Sequence, residues 1–214
     1  MWIEIPEKRV KQASEAATIL GDEIHSQFPF LEGVSPNNGD LTELILNRTW
    51  RPALEITGID GVPTCAMGGN VLRTNTTLKL SIRIPAGVDC NAASDLVEQT
   101  LTRNPPQGAH VKFNIEHPAD GFHANPLSEW ISVALEDASN AHFGAPVQFM
   151  GEGGTIPFMP MLQDQFPSSE FMITGILGPE SNAHGPNEFT HIPCAKAITC
   201  CVAQVLAAHG EHHG

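Results

Sequence analysis

The stretch Gly178-Pro-Glu-Ser-Asn-Ala-His184-Gly-Pro-Asn-Glu188 places one histidine and two carboxylates in a turn-rich loop. A neutral imidazole is the commonest protein metal ligand, and a neighbouring carboxylate can orient its second nitrogen. The apolar run 171–177 before the loop reads as a strand, and a helix follows. Open α/β sheets place ligands at the carboxyl ends of such strands. The loop alone leaves two readings open, His184 as a ligand or as a polar loop residue.

Glu152-Gly153-Gly154 lies between a predicted strand and a predicted helix. Glycines let a backbone approach a ligand closely, and N–H groups at a helix start bind anions. The competing reading is a plain turn. Arg83 sits on the polar face of an alternating strand. Its planar fork suits a carboxylate, although the strand by itself favours a solvated arginine. The same applies to His117, which closes a strand.

Several common machineries are missing. The chain has no His-x-Asp pair, no adjacent Glu-Glu pair, no H-E-x-x-H and no G-x-S-x-G. A zinc site takes three or four ligands, and no companions to His184 stand out.

The elements that must position these residues follow from periodicity. Val10, Ala13, Ala17, Leu20, Ile24 and Phe28 recur at helical spacing and predict one helix from Pro6 to about Phe28. Residues 33–40 are loop chemistry. Residues 52–57 read as a strand ended by Gly58-Ile-Asp-Gly61. A clearer strand spans 76–85, where Leu78, Leu80, Ile82 and Ile84 alternate with polar residues. Asn91 can cap a helix to about Arg103, and Val111, Phe113 and Ile115 alternate as a further strand. Residues 52–117 thus predict a β-β-α-β antiparallel α+β layer. After Pro118, helices near 126–143 and 193–208 alternate with strands at 147–150 and 171–177, which predicts a mainly parallel α/β sheet. A boundary near 117 separates a first domain, 1–117, from a second, 118–214. The tail from Ala207, with His209, His212 and His213, could bind stray metal but reads as a frayed, solvated terminus.

Composition bounds the function. The 214 residues carry a formal charge of −13, are 41% apolar and lack tyrosine. That argues against sequence-independent nucleic-acid binding, which needs clustered Lys and Arg. No apolar run approaches a membrane span of about 20 residues, and no signal-peptide pattern opens the chain. Five cysteines without C-x-x-C spacing point to reduced thiols and a cytoplasmic setting.

Four short motifs then fall into register. Glu152-Gly-Gly-Thr-Ile-Pro157 resembles the E-G-G-S-I-P stretch of carnosinase-like zinc dipeptidases. Ala183-His-Gly-Pro-Asn-Glu188 resembles their A-H-S-x-N-E motif, and Ser81-Ile-Arg-Ile-Pro85 their S-I-R-L-P strand. Gly58-Ile-Asp-Gly61 resembles the turn leading into that strand. Order and spacing agree over residues 45–208. The wider family includes aminoacylases and succinyl-diaminopimelate desuccinylases.

The resemblance implies a lid domain, which also makes a homodimer, set into a catalytic domain that holds two zinc ions. It implies His184 as a zinc ligand and Arg83 and His117 as holders of the substrate carboxylate and reaction-centre oxygen. Asn70 falls where a polar lid residue reaches the neighbouring subunit's site. Gly153, Gly154 and Thr155 match contacts to the substrate terminus, and Glu152 the acidic residue before them. The substrate would be a dipeptide or N-acyl amino acid. The family's other zinc ligands, its glutamate base and its lid histidine are not found in this chain. The expectation is therefore a chain matching the lid and the C-terminal portion of the catalytic domain, inactive by itself. A non-catalytic dimerisation or binding module of the same descent is the alternative. Gly185, where the family carries Ser, would loosen the loop.

Overall fold

The computed structural model describes residues 1–26, 28–37, 39–153, 156–177 and 180–214. Among them, seven α-helices and one two-stranded antiparallel sheet form an α+β arrangement with two separate apolar clusters.

The first cluster is helical. Helix α1 (Glu7–Leu20) follows Pro6 and stops at Gly21, whose φ of 53° favours glycine. Helix α2 (Glu23–Ser26) follows that break, so the single helix expected through Phe28 is two. Helix α3 (Leu41–Thr49) begins at Asp40, whose carboxylate accepts from the backbone N–H groups of Thr42 (2.9 Å) and Glu43 (3.2 Å). The sequence reading missed α3, although Asp40-x-x-Glu43 before an apolar run is a start signal. Ala13, Ala16 and Ala17 give α1 a flat face on which Ile45, Leu46 and Trp50 pack. Val10, Leu20 and Phe28, expected on that face, stay outside the buried set.

Strand β1 (Ala53–Asp60) pairs with β2 (Thr77–Arg83). The turn signal at Gly58 does not end β1, because a bulge between Ile56 and Gly58 carries the strand onward. The extra residue also restores facing. Leu54, Ile56 and Ile59 pair with Ile82, Leu80 and Leu78, so six apolar side chains share one face. The strand ends at Gly61, where a Cβ would lie 2.5 Å from the Asn75 carbonyl oxygen.

Helix α4 (Cys90–Thr102) is capped by Asp89 through the Ala92 N–H at 2.7 Å, two residues before the expected Asn91. Residues 111–116 form no strand, so the layer is β-β-α. The alternation was read correctly, but periodicity does not show whether a ladder partner is in reach. The Glu116 carboxylate of this segment meets β2, 2.9 Å from Lys79 Nζ.

The second cluster lies between helices α5 (Glu129–Phe143) and α7 (Ile192–His213). Ile131, Ala134, Leu135 and Ala138 of α5 meet Cys201 and Val205 of α7, and Gly144 at φ 70° ends α5 as expected. The cap of α5 comes from elsewhere in the chain. Glu170 accepts from the Ser128 backbone N–H and, at 2.8 Å, from its hydroxyl. Helix α6 (Phe158–Gln165) follows the glycine loop.

No parallel sheet forms among the described residues. The segments 147–150 and 171–177 lie on helices instead, with Val147, Phe149 and Met172 packed against the α5–α7 cluster. The tail does not fray, since α7 runs to His213. Helix α7 is also long and apolar enough to span a membrane by composition, with a mean hydropathy of 1.4 over an 18-residue window. This corrects the sequence reading, although core helices of soluble proteins meet the same criterion. All five cysteines are unpaired.

Two outcomes follow. Ala138 is 1% exposed where α5 crosses α7, and Cys201 Sγ lies 3.5 Å from its carbonyl oxygen. Ala138→Leu should overpack this contact and cost about 1–3 kcal/mol, read as a lower urea midpoint. His123 is the second. Arg9 Nε donates to His123 Nε2 at 3.2 Å, and the ring stands edge-on to Trp50 at 5.2 Å. Burial and then the Arg9 charge lower the His123 pKa, so the neutral acceptor form is favoured. The unfolded state then binds more protons below its own pKa of about 6.5. Stability should be full above that value and fall as the pH drops below it towards the folded pKa. Urea midpoints at pH 7.5 and 5.5 should differ more for the parent chain than for His123→Ala.

Candidate functional site

The loop around His184 is tightly wound. Glu180, Asn182, His184 and Asn187 all have positive φ, between 54° and 62°. Asparagine tolerates this region, but glutamate and histidine adopt it at a cost, and such residues concentrate at functional sites. Local hydrogen bonds hold the winding. Asn182 Nδ2 donates to the Pro186 carbonyl at 2.7 Å, and the Gly185 N–H to the Asn182 carbonyl at 2.9 Å. The His184 backbone N–H lies 3.3 Å from Glu188 Oε2, and the Phe189 N–H donates to the buried Ser181 carbonyl. The His184 side chain is exposed.

Gly185 does not act as a loosening substitution. A Cβ there would sit 2.5 Å from the Asn182 amide atoms, so the bare glycine makes room for the side chain that closes the loop.

The glycine loop rests on α3. A Cβ at Gly153 would lie 2.5 Å from the Arg48 carbonyl oxygen and 3.3 Å from Arg83 Nη1. A Cβ at Gly151 would lie 3.0 Å from the Thr49 Cβ. Arg83, at the end of β2, donates through Nη1 to the Gly153 carbonyl, joining two motifs 70 residues apart. Glu152 turns back to accept from the Gly153 N–H at 2.9 Å. Gly154 and Thr155 lie outside the described residues. Arg48 and Thr49, which seat the loop, belong to the helix the sequence reading missed. The signal was the Asp40 cap.

The remaining predicted residues are spread out. His117 is exposed beside Glu116, whose carboxyl is held below its ordinary value by hydrogen bonding to Lys79 and that lysine's charge. Asn70 is exposed in the loop between β1 and β2. No hydrogen bond among the described residues joins His184 to Arg83, His117, Asn70 or Glu152. A cleft of about 510 Å³ lies between residues 118–120 and α6, lined by Cys90, Asp120, Met161 and Asp164 among others, and by none of the predicted site residues.

The donor set for a metal is incomplete. Among the described residues no three His, Cys, Asp or Glu side chains converge to hold an ion. His184 supplies one imidazole, fewer than the three or four protein ligands a zinc site takes.

Comparison with known proteins finds peptidases among those similar to this chain. No protein-family model matches. The chain is 27% identical over 153 residues to the cysteinylglycine-S-conjugate dipeptidase of Corynebacterium striatum, covering 69% of this chain and 33% of that protein. Among solved structures it is similar to the dipeptidase Dug1p of Saccharomyces cerevisiae, with a TM-score of 0.69 and 20% identity over 99% of this chain and 43% of that one. The M20 family metallo-carboxypeptidase Sso-CP2 of Sulfolobus solfataricus follows at a TM-score of 0.66 and 17% identity, covering 95% of this chain and 45% of that one. The chain is thus similar in sequence to a dipeptidase and in fold to a dipeptidase and a metallo-carboxypeptidase, the direction in which the motifs pointed. The chain spans a third to under half of their length.

Gly185→Ser should displace the Asn182 amide from the Pro186 carbonyl. Loss of one such hydrogen bond is worth about 1 kcal/mol, so amide exchange at Gly185 and Phe189 should quicken about fivefold.

Proposed function

We propose that this chain forms the lid and the C-terminal portion of the catalytic domain of a metal-dependent dipeptidase or N-acyl amino acid hydrolase, divided near residue 117. The observation that carries this reading is the Arg83 contact to Gly153, which brings the strand motif and the glycine-loop motif into one place. Arg83 has five N–H donors. With Nη1 on the loop carbonyl, its remaining donors suit a substrate carboxylate.

The other roles follow the motifs. The backbone from Gly153 to Thr155 holds the substrate terminus, with Glu152 at its mouth. His117 holds the oxygen at the reaction centre, and Asn70 reaches the site of a neighbouring subunit. His184 contributes one imidazole to a site for zinc, which when bound polarises a carbonyl and acidifies water. The remaining ligands and the proton-moving carboxylate come from outside this chain.

One observation favours association as a further property. Leu54, Ile56 and Ile59 on the apolar sheet face are 58–61% exposed, and two-stranded sheets are marginal alone. We assign this face to the lid-mediated homodimer. The same face would serve a non-catalytic dimerisation module.

The test is zinc content and dipeptide hydrolysis, measured for the chain alone and with a segment supplying the rest of the relatives' length. The chain alone should show no turnover. In the reconstituted protein Arg83→Ala should lower kcat/KM by about 10–150-fold, the worth of a hydrogen bond to a charged group. His184→Ala should reduce zinc content. Robust hydrolysis by the chain alone would refute the division of labour. Dimerisation with no zinc binding or turnover after reconstitution would favour the non-catalytic module.

A further inference from the structure

The last two turns of α7 hold His209, His212 and His213 on ordered helix. His209 and His213 are four residues apart and share a helix face. Their ring centroids are 4.5 Å apart with the planes tilted by 45°. With metal–nitrogen bonds of about 2.0–2.1 Å, a ligating imidazole has its centroid roughly 3.1 Å from the ion. Two such rings at angles between square and tetrahedral therefore sit about 4.4–5.1 Å apart, a range that contains the observed spacing. The His212 and His213 rings are also 4.6 Å apart, but His212 is stacked on the Trp130 indole.

The rings are also held in place. His212 stacks on Trp130 of α5 at 5.4 Å and 17°. The same indole lies 5.5 Å from His209 and 5.6 Å from His213. The α5–α7 cluster beneath fixes this end of the helix pair, with Ala208 packed against it. Three acidic groups lie nearby. Glu170 hydrogen-bonds Trp130 and lies near His213, and Asp137 and Glu211 line a cleft beside Trp130 and His212. A cation is favoured in such surroundings.

We propose that His209 and His213 form a two-imidazole clamp for a divalent transition-metal ion such as nickel, copper or zinc. No third His, Cys, Asp or Glu converges with them among the described residues, so water completes the coordination. This inference rests on the geometry of α7 and does not depend on the role proposed for His184.

The test is titration of the full 214-residue chain with nickel chloride, followed by calorimetry and by quenching of Trp130 fluorescence. One ion should bind per chain, and amide exchange in residues 205–213 should slow as the clamp closes. His209→Ala and His213→Ala should each weaken binding at least tenfold with the helical circular dichroism unchanged. His209→Gln serves where the alanine variant misfolds. His184→Ala should bind as the parent chain does. Nickel isotherms unchanged in the His209 and His213 variants, binding lost only in His184→Ala, or no binding by the parent chain would each overturn the proposal.

Discussion

The missing side chains at Gly151 and Gly153 are the constraint on which the arrangement depends. Val147 and Phe149 belong to the α5–α7 cluster. A few residues later the same segment presses against Arg48 and Thr49 at the end of α3, which belongs to the other cluster. A Cβ at Gly153 would meet the Arg48 carbonyl oxygen at 2.5 Å, and backbone cannot rotate aside as a side chain can. Two small cores are thus joined through a strip of backbone that only glycine allows to come so close. Arg83 fastens the same strip from the sheet side. The second tie is Arg9, which bonds His123 and the Ala124 carbonyl and so holds the linking segment against α1.

Neither core is large. The first rests on three alanines and four big side chains, and the second on four residues of α5 and two of α7. Many large apolar residues stay in water, including Leu72 at 98% exposure and Val71 at 82%. Each helix pair buries one stripe and leaves the rest unmatched, as the opposite faces of α7 show. Cys201 is buried there while Leu206 is 66% exposed. The sheet repeats the pattern, since six apolar side chains align on one face and α4 does not approach the strands. Local patterning is consistent throughout, and the long-range partners that would cover these faces are few.

That division also explains how much was legible in the sequence. Helical spacing identified α1, α5 and α7, a cap signal identified α4, and Gly144 marked the end of α5, because those signals are local. The β1–β2 alternation was legible for the same reason. Gly58 misled because a bulge and a strand end share the same residue chemistry, and only the partner strand distinguishes them. The runs 147–150 and 171–177 were apolar enough for strands, but a strand requires neighbours for its backbone groups, and helices took the apolar side chains instead. The tail failed as a prediction because Trp130, far away in sequence, holds it. For the candidate site, motif spacing indicated which residues to inspect. Contact between Arg83 and Gly153 required the fold.

The His184 loop is wound at a conformational cost. Four non-glycine residues with positive φ in eight positions would relax in an isolated peptide. The loop persists because Asn182 spans it, Gly185 leaves space for that span, and Glu188 accepts from the His184 backbone. None of these bonds engages the imidazole nitrogens, so the strain is spent on presenting an exposed donor rather than on satisfying it. On the function proposed above, that exposed imidazole is one donor of a set whose other members come from outside this chain. The glycine loop is likewise held from two sides, with the Arg48 carbonyl against Gly153 and Arg83 donating to the Gly153 carbonyl. On that reading, the residues that position a ligand and those that bind the metal are separable, and this chain contributes chiefly the first.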